Sequence, residues 1–165
     1  MFHARSGPIL AQELSGKEIT WVEQSKQLGT GHAVEQALSL IEVDSLVLIL
    51  YGDVPLLKTS SLKRLVASAT KTGFAVLTAD MSDPRGYGRI IRGGPEFIER
   101  IVEEKDASDA EAEITEVSTG IMAVNARCLK SCIARLENNN GQGEYYLTDC
   151  IELAVADGVN AVSYT

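Results

Sequence analysis

The feature of the sequence that most restricts its fold is the apolar run Leu46 to Leu50, which stops at Tyr51-Gly52-Asp53. An unbroken apolar run is typical of a strand covered on both faces, as in a parallel sheet packed between helices. Glycine lets the backbone leave the strand, so we expect Asp53 at the carboxyl end of a buried strand, where ligands bind in open α/β sheets. Asp53 is then either a ligand for a hard cation such as Mg²⁺ or a cap of the following turn.

The remaining chain alternates predicted strands and helices with short joints, which indicates an α/β domain with a mostly parallel sheet and an added hairpin. Helices are predicted over residues 8–15, 32–41, 60–72, 108–113 and 126–136, with a closing helix that ends at Gly158. Strands are predicted over residues 19–22, 46–50, 74–78, 89–91, 97–103 and 117–124, with one more near residue 165. Thr59 or Ser60 is expected to cap the third helix, and Gly73 to end it.

The composition narrows the class of protein. A chain of 165 residues with 45% hydrophobic content fits one globular domain. No apolar run reaches membrane-spanning length and the N-terminus lacks the apolar stretch of a signal peptide, so we expect a cytoplasmic protein without membrane contact. Fifteen basic against twenty-three acidic residues give a net charge of −8, which opposes binding to nucleic acid. The three cysteines lack zinc-type spacing and are expected to be idle thiols.

Three further segments allow both a chemical and an ordinary interpretation. The glycines around Thr30 precede a predicted helix whose first amides could hold an anion, or they simply start that helix. His32 is either a catalytic base or a helix residue with a satisfied hydrogen bond. The charged run Glu103 to Asp106 is a ligand contact or a solvated surface.

Six motifs together resemble one enzyme family. They are QLGTGHA (27–33), YGDVPLL (51–57), DPRGYGRI (83–90), IVEEKDAS (101–108), STGIM (118–122) and NNNGQGEYYLTD (138–149). In this order and spacing they resemble the uridylyltransferase domain of the bacterial bifunctional N-acetylglucosamine-1-phosphate uridylyltransferase/glucosamine-1-phosphate acetyltransferase. YGD alone is typical of the wider sugar nucleotidyltransferase group. The motifs NNNGQGEYYLTD and QLGTGHA disfavour a thymidylyl-type relative.

The resemblance implies a Rossmann-like domain that joins UTP to N-acetylglucosamine 1-phosphate with Mg²⁺, giving UDP-N-acetylglucosamine and pyrophosphate. Such a product would serve peptidoglycan and lipopolysaccharide biosynthesis. Asp53 would be the catalytic residue and the Mg²⁺ ligand. The other implied positions are Gln24, Gly29 and Thr30 for uracil, Tyr51 and Gly52 for the floor of the site, and Gly88, Glu103, Ser118 and Thr119 for the sugar. A glutamine amide can meet the imide edge of uracil with one donor and one acceptor.

Departures from the family pattern lead to a further set of expectations. Residues 1–165 contain neither the family's Gly-rich triphosphate loop nor its acetyltransferase β-helix, and Ser118 stands where the family usually has Asn. We therefore expect a partial uridylyltransferase domain that is inactive alone. The alternative is a noncatalytic remnant that binds a nucleotide sugar. Because the family's first strand would pair with the strand at Leu46 to Leu50, its absence predicts an exposed sheet edge that favours self-association.

Overall fold

The computed structural model describes residues 2–3, 18–54 and 56–165. The strands are β1 (Phe2–His3), β2 (Val22–Glu23), β3 (Leu46–Ile49), β4 (Gly73–Asp80), β5 (Arg89–Arg92), β6 (Ile98–Val102), β7 (Glu116–Asn125) and β8 (Asn160–Tyr164). The helices are α1 (Thr30–Ala37), which continues as a 3₁₀ turn (Leu38–Leu40), α2 (Thr59–Thr72), α3 (Asp109–Ala112), α4 (Ala126–Ile133) and α5 (Asp149–Ala156).

Six of the strands form one sheet around β7. Its order is β6-β5-β7-β4-β8, and β3 pairs with the second half of β7. Strands β3, β4 and β5 all run antiparallel to β7, β5 and β6 form an antiparallel hairpin, and β4 and β8 run parallel. β1 and β2 form a separate parallel pair. β7 is therefore the strand on which the arrangement of the sheet depends.

Helices cover both faces of the sheet because successive strand residues point to opposite sides. Phe74 and Val76 face the larger apolar core, which they share with Leu129 of α4 and Ile151 of α5. Ala75 between them faces the other side, in a smaller core that contains residues of α2. The result is a three-layer arrangement in which the ends of the central strands remain accessible.

The predicted fold class is confirmed, and so are most of the predicted elements. Helix α2 ends at Gly73, which has the left-handed φ of 94° that favours glycine after a helix. The cap expected from Thr59 or Ser60 is wrong, because both residues lie inside the helix. The helix begins at Thr59, its N-cap residue is Lys58, and no side chain caps it by a hydrogen bond. The predicted strand over residues 19–22 is reduced to β2. The predicted helix over residues 8–15 lies outside the described residues.

The expectation of a mostly parallel sheet needs a correction. β7 lies between β3 and β4 and runs against both, so in the six-stranded sheet only β4 and β8 pair in parallel among the described residues. β3 and β4 do share a direction, which is the feature that the alternating strand and helix pattern detects. The intervening strand comes from a later part of the chain, and a periodicity argument cannot locate it.

Two further features concern the outer surfaces of the fold. Within the described residues, β3 has a hydrogen-bonded partner strand on one side only, namely β7. The chain leaves β3 through the exposed residue Leu50. No helix in the described part of the chain has the length and apolar character needed to cross a membrane.

Candidate functional site

The loop of the QLGTGHA motif is fastened to the NNNGQGEYYLTD motif by backbone contacts. The amide of Tyr145 donates to the carbonyl of Leu28 at 2.8 Å, and the amide of Gly31 donates to the carbonyl of Tyr145 at 2.8 Å. Gly29 has a φ of 109°, and a β-carbon there would lie 2.6 Å from the carbonyl oxygen of Tyr145. Only glycine permits this close approach. Although the two motifs are distant in sequence, these backbone contacts make them one structural unit.

Thr30 extends the same unit at the start of α1. Its Oγ1 accepts a hydrogen bond from the amide of Leu147 at 3.0 Å. A hydroxyl has one hydrogen and two lone pairs, so Thr30 retains a donor for a ligand. The predicted uracil contacts Gly29 and Thr30 are thus adjacent at a helix start whose position is held by residues 145–147.

Gln24 lies against this loop. Its amide nitrogen donates to the carbonyl of Gly29 at 3.1 Å and lies 3.0 Å from Nδ1 of His32. The amide nitrogen carries two hydrogens, and both have an acceptor within the protein. The structure differs here from the expectation of one donor and one acceptor for uracil, because only the Oε1 acceptor remains for a ligand.

The predicted sugar contacts meet at the junction of three motifs. The amide of Ser118 in β7 donates to the carbonyl of Gly88 at 2.8 Å. A β-carbon on Gly88 would lie 3.4 Å from each carboxylate oxygen of Glu103, so that carboxylate lies directly over the Gly88 backbone. The structure therefore brings Gly88, Glu103 and Ser118 together.

Thr119 differs from these three residues. Its hydroxyl donates to the carbonyl of Leu77 at 2.7 Å, beside the register shift between Val76 and Thr78 in the pairing of β4 with β7. The same oxygen accepts from the amide of Ile121 at 3.3 Å. The hydroxyl of Thr119 thus holds the irregular part of the sheet and has no hydrogen left to donate to a sugar.

Tyr51 and Asp53 follow β3, as the apolar run predicts. Gly120 has a φ of 77°, and a β-carbon there would lie 2.4 Å from the ring carbon Cε2 of Tyr51. The ring therefore lies on the backbone of the STGIM motif. Burial raises the pKa of the Tyr51 hydroxyl above 10.0, and the negative charges of Glu103 and Asp53 raise it further.

The carboxylate of Asp53 could hold a metal ion that takes its other ligands from water and a bound phosphate. Asp53 is exposed and follows Gly52 in a turn. The described residues contain no group of three or more His, Cys, Asp or Glu side chains that could hold a metal ion. Mg²⁺ usually keeps several waters and binds through one or two carboxylates together with substrate phosphates. A single exposed carboxylate fits that mode, and a closed all-protein cage does not.

Sequence reasoning missed the residues that connect the two halves of this site. The hydroxyl of Thr148 donates to Oε1 of Glu103 at 2.8 Å. The neighbouring residue Leu147 contacts Thr30. Both residues belong to the NNNGQGEYYLTD motif. The length of this motif is the only sign in the sequence that it contacts more than one other segment.

The charged run after β6 is not simply a solvated surface. Glu104 Oε2 accepts from the amide of Gly86 at 2.7 Å. Lys105 Nζ donates to Gln142 Oε1 at 2.7 Å, and Asp106 Oδ1 accepts from the amide of Gly141 at 2.8 Å. Together with Glu103, the run fastens two glycine-containing loops beside the predicted sugar contacts.

Asp149 adds an unusual carboxyl group to this acidic region. Burial raises its pKa to about 6, and the charges of Glu103, Glu152 and Asp106 contribute in the same direction. Burial disfavours the charged carboxylate most, and repulsion from the neighbouring carboxylates adds to that effect.

Comparisons with known proteins agree with the fold and the motifs. The model of the family described as "Nucleotidyl transferase" matches residues 8–165. The chain is 52% identical to the bifunctional protein GlmU of Albidiferax ferrireducens over 150 residues, which is 91% of this chain and 32% of that protein. It is 48% identical to the bifunctional protein GlmU of Nitrosospira multiformis over 164 residues, 99% of this chain and 36% of that protein. The chain thus spans about a third of the length of these relatives.

Solved structures support the fold at lower sequence identity. A putative glucose-1-phosphate thymidylyltransferase from Bacillus anthracis, in complex with a sucrose, matches 96% of this chain and 63% of its own, with a TM-score of 0.73 and 19% identity. A UDP-glucose pyrophosphorylase complexed with UDP-glucose matches 98% of this chain and 63% of its own, with a TM-score of 0.66 and 18% identity. At these identities the likeness concerns the fold.

Proposed function

Because the chain belongs to the nucleotidyl transferase family, we propose that the protein acts in uridylyl transfer from UTP to N-acetylglucosamine 1-phosphate. In this reaction a phosphate oxygen of the sugar phosphate attacks the α-phosphorus of UTP. A new P–O bond forms, the bond to the outer two phosphates breaks, and pyrophosphate leaves. Such chemistry asks a protein for alignment and charge neutralisation more than for covalent participation.

The observation that carries the proposal is the connection between the two predicted binding regions. Gln24, Gly29 and Thr30 form a polar surface for the base, and Gly88 and Glu103 form one for the sugar. The stretch 145–148 contacts both regions through four hydrogen bonds. A reaction that joins a nucleotide to a sugar phosphate needs both sites at a constant separation.

Four further predicted residues, Glu103, Ser118, Tyr51 and Asp53, have a role in the proposal, as does Gly52, whereas the Thr119 hydroxyl has no hydrogen left for a sugar. Glu103 Oε1 is occupied by Thr148, which leaves Oε2 to accept from a sugar hydroxyl. Ser118 is buried beside Gly88, with its Oγ accepting from the amide of Gly120, and its hydroxyl hydrogen is available to a ligand. Tyr51 and Gly52 shape the floor between the two regions. Asp53 would hold Mg²⁺, which supplies neutralisation of phosphate charge when bound.

Binding of the product tests the proposal directly. We expect UDP-N-acetylglucosamine and UTP to bind the protein in calorimetric titrations, with higher affinity when Mg²⁺ is present. Asp53→Asn should lower the Mg²⁺-dependent part of that affinity by at least about tenfold, since even the partners of metal ligands are worth about 10- to 100-fold. Asp109→Asn, which neutralises another exposed carboxylate, is the matched control.

Three outcomes test the enzymatic function, the noncatalytic alternative and the metal role of Asp53. Pyrophosphate release from UTP and N-acetylglucosamine 1-phosphate would contradict the noncatalytic alternative, and with it the expectation that residues 1–165 are inactive alone. Absence of binding by any uridine nucleotide would contradict both functions. An equal Mg²⁺ response in wild type and Asp53→Asn would contradict the metal role of Asp53 alone.

We also propose that the protein associates with a second copy through β3. The support is that β3, within the described residues, pairs only with β7, and that the exposed Leu50 follows it. An apolar strand with one free edge presents unpaired backbone groups that can pair with another chain.

A further inference from the structure

The contacts of Gln24 determine which hydrogen atoms the neighbouring His32 can carry. The carbonyl oxygen of Gly29 can only accept, so the Gln24 atom 3.1 Å from it is the amide nitrogen. The same nitrogen lies 3.0 Å from His32 Nδ1. An amide nitrogen offers hydrogens and no acceptor, so Nδ1 must accept, and the neutral imidazole carries its hydrogen on Nε2.

In this tautomer the approach of Gln36 to the ring is a contact between two donor nitrogens and not a hydrogen bond. Nε2 of Gln36 lies 3.3 Å from the ring Nε2, but it also donates to the His32 carbonyl at the shorter distance of 3.1 Å. Gln36 therefore has an acceptor of its own that does not require the ring. The ring nitrogen with the shorter contact, Nδ1, is the one that accepts.

From this arrangement we infer that His32 sets nucleobase selectivity, because it takes the second amide hydrogen of Gln24 and leaves only the Oε1 acceptor for the base. The inference rests on the proposed function, which places a base at Gln24. Uracil presents an N3–H donor on its pairing edge and can meet a lone acceptor. Cytosine presents an unprotonated N3 at that position, which would face Oε1 lone pair to lone pair. His32 is accordingly a positioning residue that acts through Gln24.

Removal of His32 should change the preference between nucleotides rather than the affinity for all of them. In His32→Leu, one hydrogen of the Gln24 amide loses its acceptor, and the amide can turn to offer a donor. A half-buried donor that loses its acceptor favours a ligand that supplies one. A base with an acceptor at N3 then becomes acceptable.

The test compares UTP and CTP titrations of wild type, His32→Leu and His32→Asn. Asn places an amide oxygen about where Nδ1 stands in His, so it should keep the acceptor for Gln24. We expect His32→Leu to reduce the ratio of UTP to CTP affinity by about 3- to 10-fold, the usual effect of one hydrogen bond. His32→Asn should retain the wild-type ratio. A purely structural role of His32 would weaken both nucleotides together and leave the ratio unchanged.

Gln24→Ala distinguishes failure of the inference from failure of the proposed function. An unchanged ratio in His32→Leu with a collapsed ratio in Gln24→Ala would overturn the role of His32 and keep the base at Gln24. An unchanged ratio in Gln24→Ala would overturn the inference, because the base would then lie elsewhere, and no nucleotide binding by wild type would overturn the proposed function as well. Nitrogen NMR of the imidazole gives a direct check, because a hydrogen on Nδ1 in the free protein would contradict the premise.

Discussion

The contact between Tyr51 and Gly120 gives the sharpest prediction on stability. Gly120 and Gly143 both have a left-handed φ, 77° and 68°. A β-carbon on Gly143 would meet no atom within 4 Å, whereas one on Gly120 would lie 2.4 Å from Tyr51 Cε2, 3.0 Å from Cζ and 3.1 Å from Oη. Alanine at the two positions therefore adds the same backbone strain and differs in one side-chain clash.

The expected magnitudes follow from these distances. Left-handed backbone costs a non-glycine residue about 1–2 kcal/mol, so Gly143→Ala should lower the free energy of unfolding by that amount. In Gly120→Ala the Tyr51 ring must also retreat by about 1 Å to reach ordinary contact distance. Forcing an extra carbon into a packed contact adds about 1–3 kcal/mol. Gly120→Ala should therefore cost about 2–5 kcal/mol in total.

Urea unfolding followed by circular dichroism measures the two costs. A second readout is the pKa of the Tyr51 hydroxyl, which burial and the Glu103 and Asp53 charges hold above 10.0. If the ring moves into solvent, that pKa should fall toward its ordinary value in Gly120→Ala and stay raised in Gly143→Ala. In a Tyr51→Ala background the extra cost of Gly120→Ala should disappear. Equal destabilisation by Gly120→Ala and Gly143→Ala would refute the contact.

Two further predictions concern charge and association. Because the folded protein raises the pKa of Asp149 from 3.8 to about 6, the native state binds more protons than the unfolded state between these values, and stability should fall as pH rises through that window. After discounting for partial solvent exposure, we expect the free energy of unfolding to fall by about 1–2 kcal/mol across this window. Above pH 6 Asp149→Asn should therefore have a higher urea midpoint than wild type, and the control Glu35→Gln should not. A gain of the same size at pH 4 would contradict the assignment to Asp149. For the β3 edge, Leu50→Lys should shift sedimentation toward the monomer more than Leu56→Lys, which changes the more exposed of the two leucines. A monomeric wild type would exclude this association.

Much of the fold follows from local sequence, as α2 and β4 illustrate. The run Leu62 to Thr72 has helical periodicity, Gly73 supplies a left-handed end, and the following apolar residues form β4 directly. These are local properties of the chain. The antiparallel position of β7 is a property of distant pairing, because Val76 and Met122, which oppose each other, are 46 positions apart in the sequence. The apolar pattern of the sequence predicts that Val76 and Met122 are buried, but it does not predict which residues cover them.

The site shows the same division between local and distant information. The turn after β3, which exposes Asp53, could be predicted from the apolar run and the glycine. The contact of Tyr51 with Gly120 and that of Thr148 with Glu103 join segments that only the fold brings together. For His32 the sequence allows both a catalytic base and a helix residue, because it does not reveal that Gln24 is its neighbour.

The stretch Tyr145 to Thr148 explains how a site assembled from distant motifs can keep its geometry. The backbone of Tyr145 bonds Leu28 and Gly31, the amide of Leu147 donates to Thr30, and the hydroxyl of Thr148 donates to Glu103. These four bonds lie within four consecutive residues, so the separation between the base region and the sugar region is limited by covalent geometry rather than by the packing of two independent loops. A displacement of either region must move the other or break a hydrogen bond, at a net cost of about 0.5–1.5 kcal/mol for each bond lost. In the proposed uridylyl transfer, that coupling would keep the distance between nucleotide and sugar phosphate constant, which in-line attack on the α-phosphorus requires.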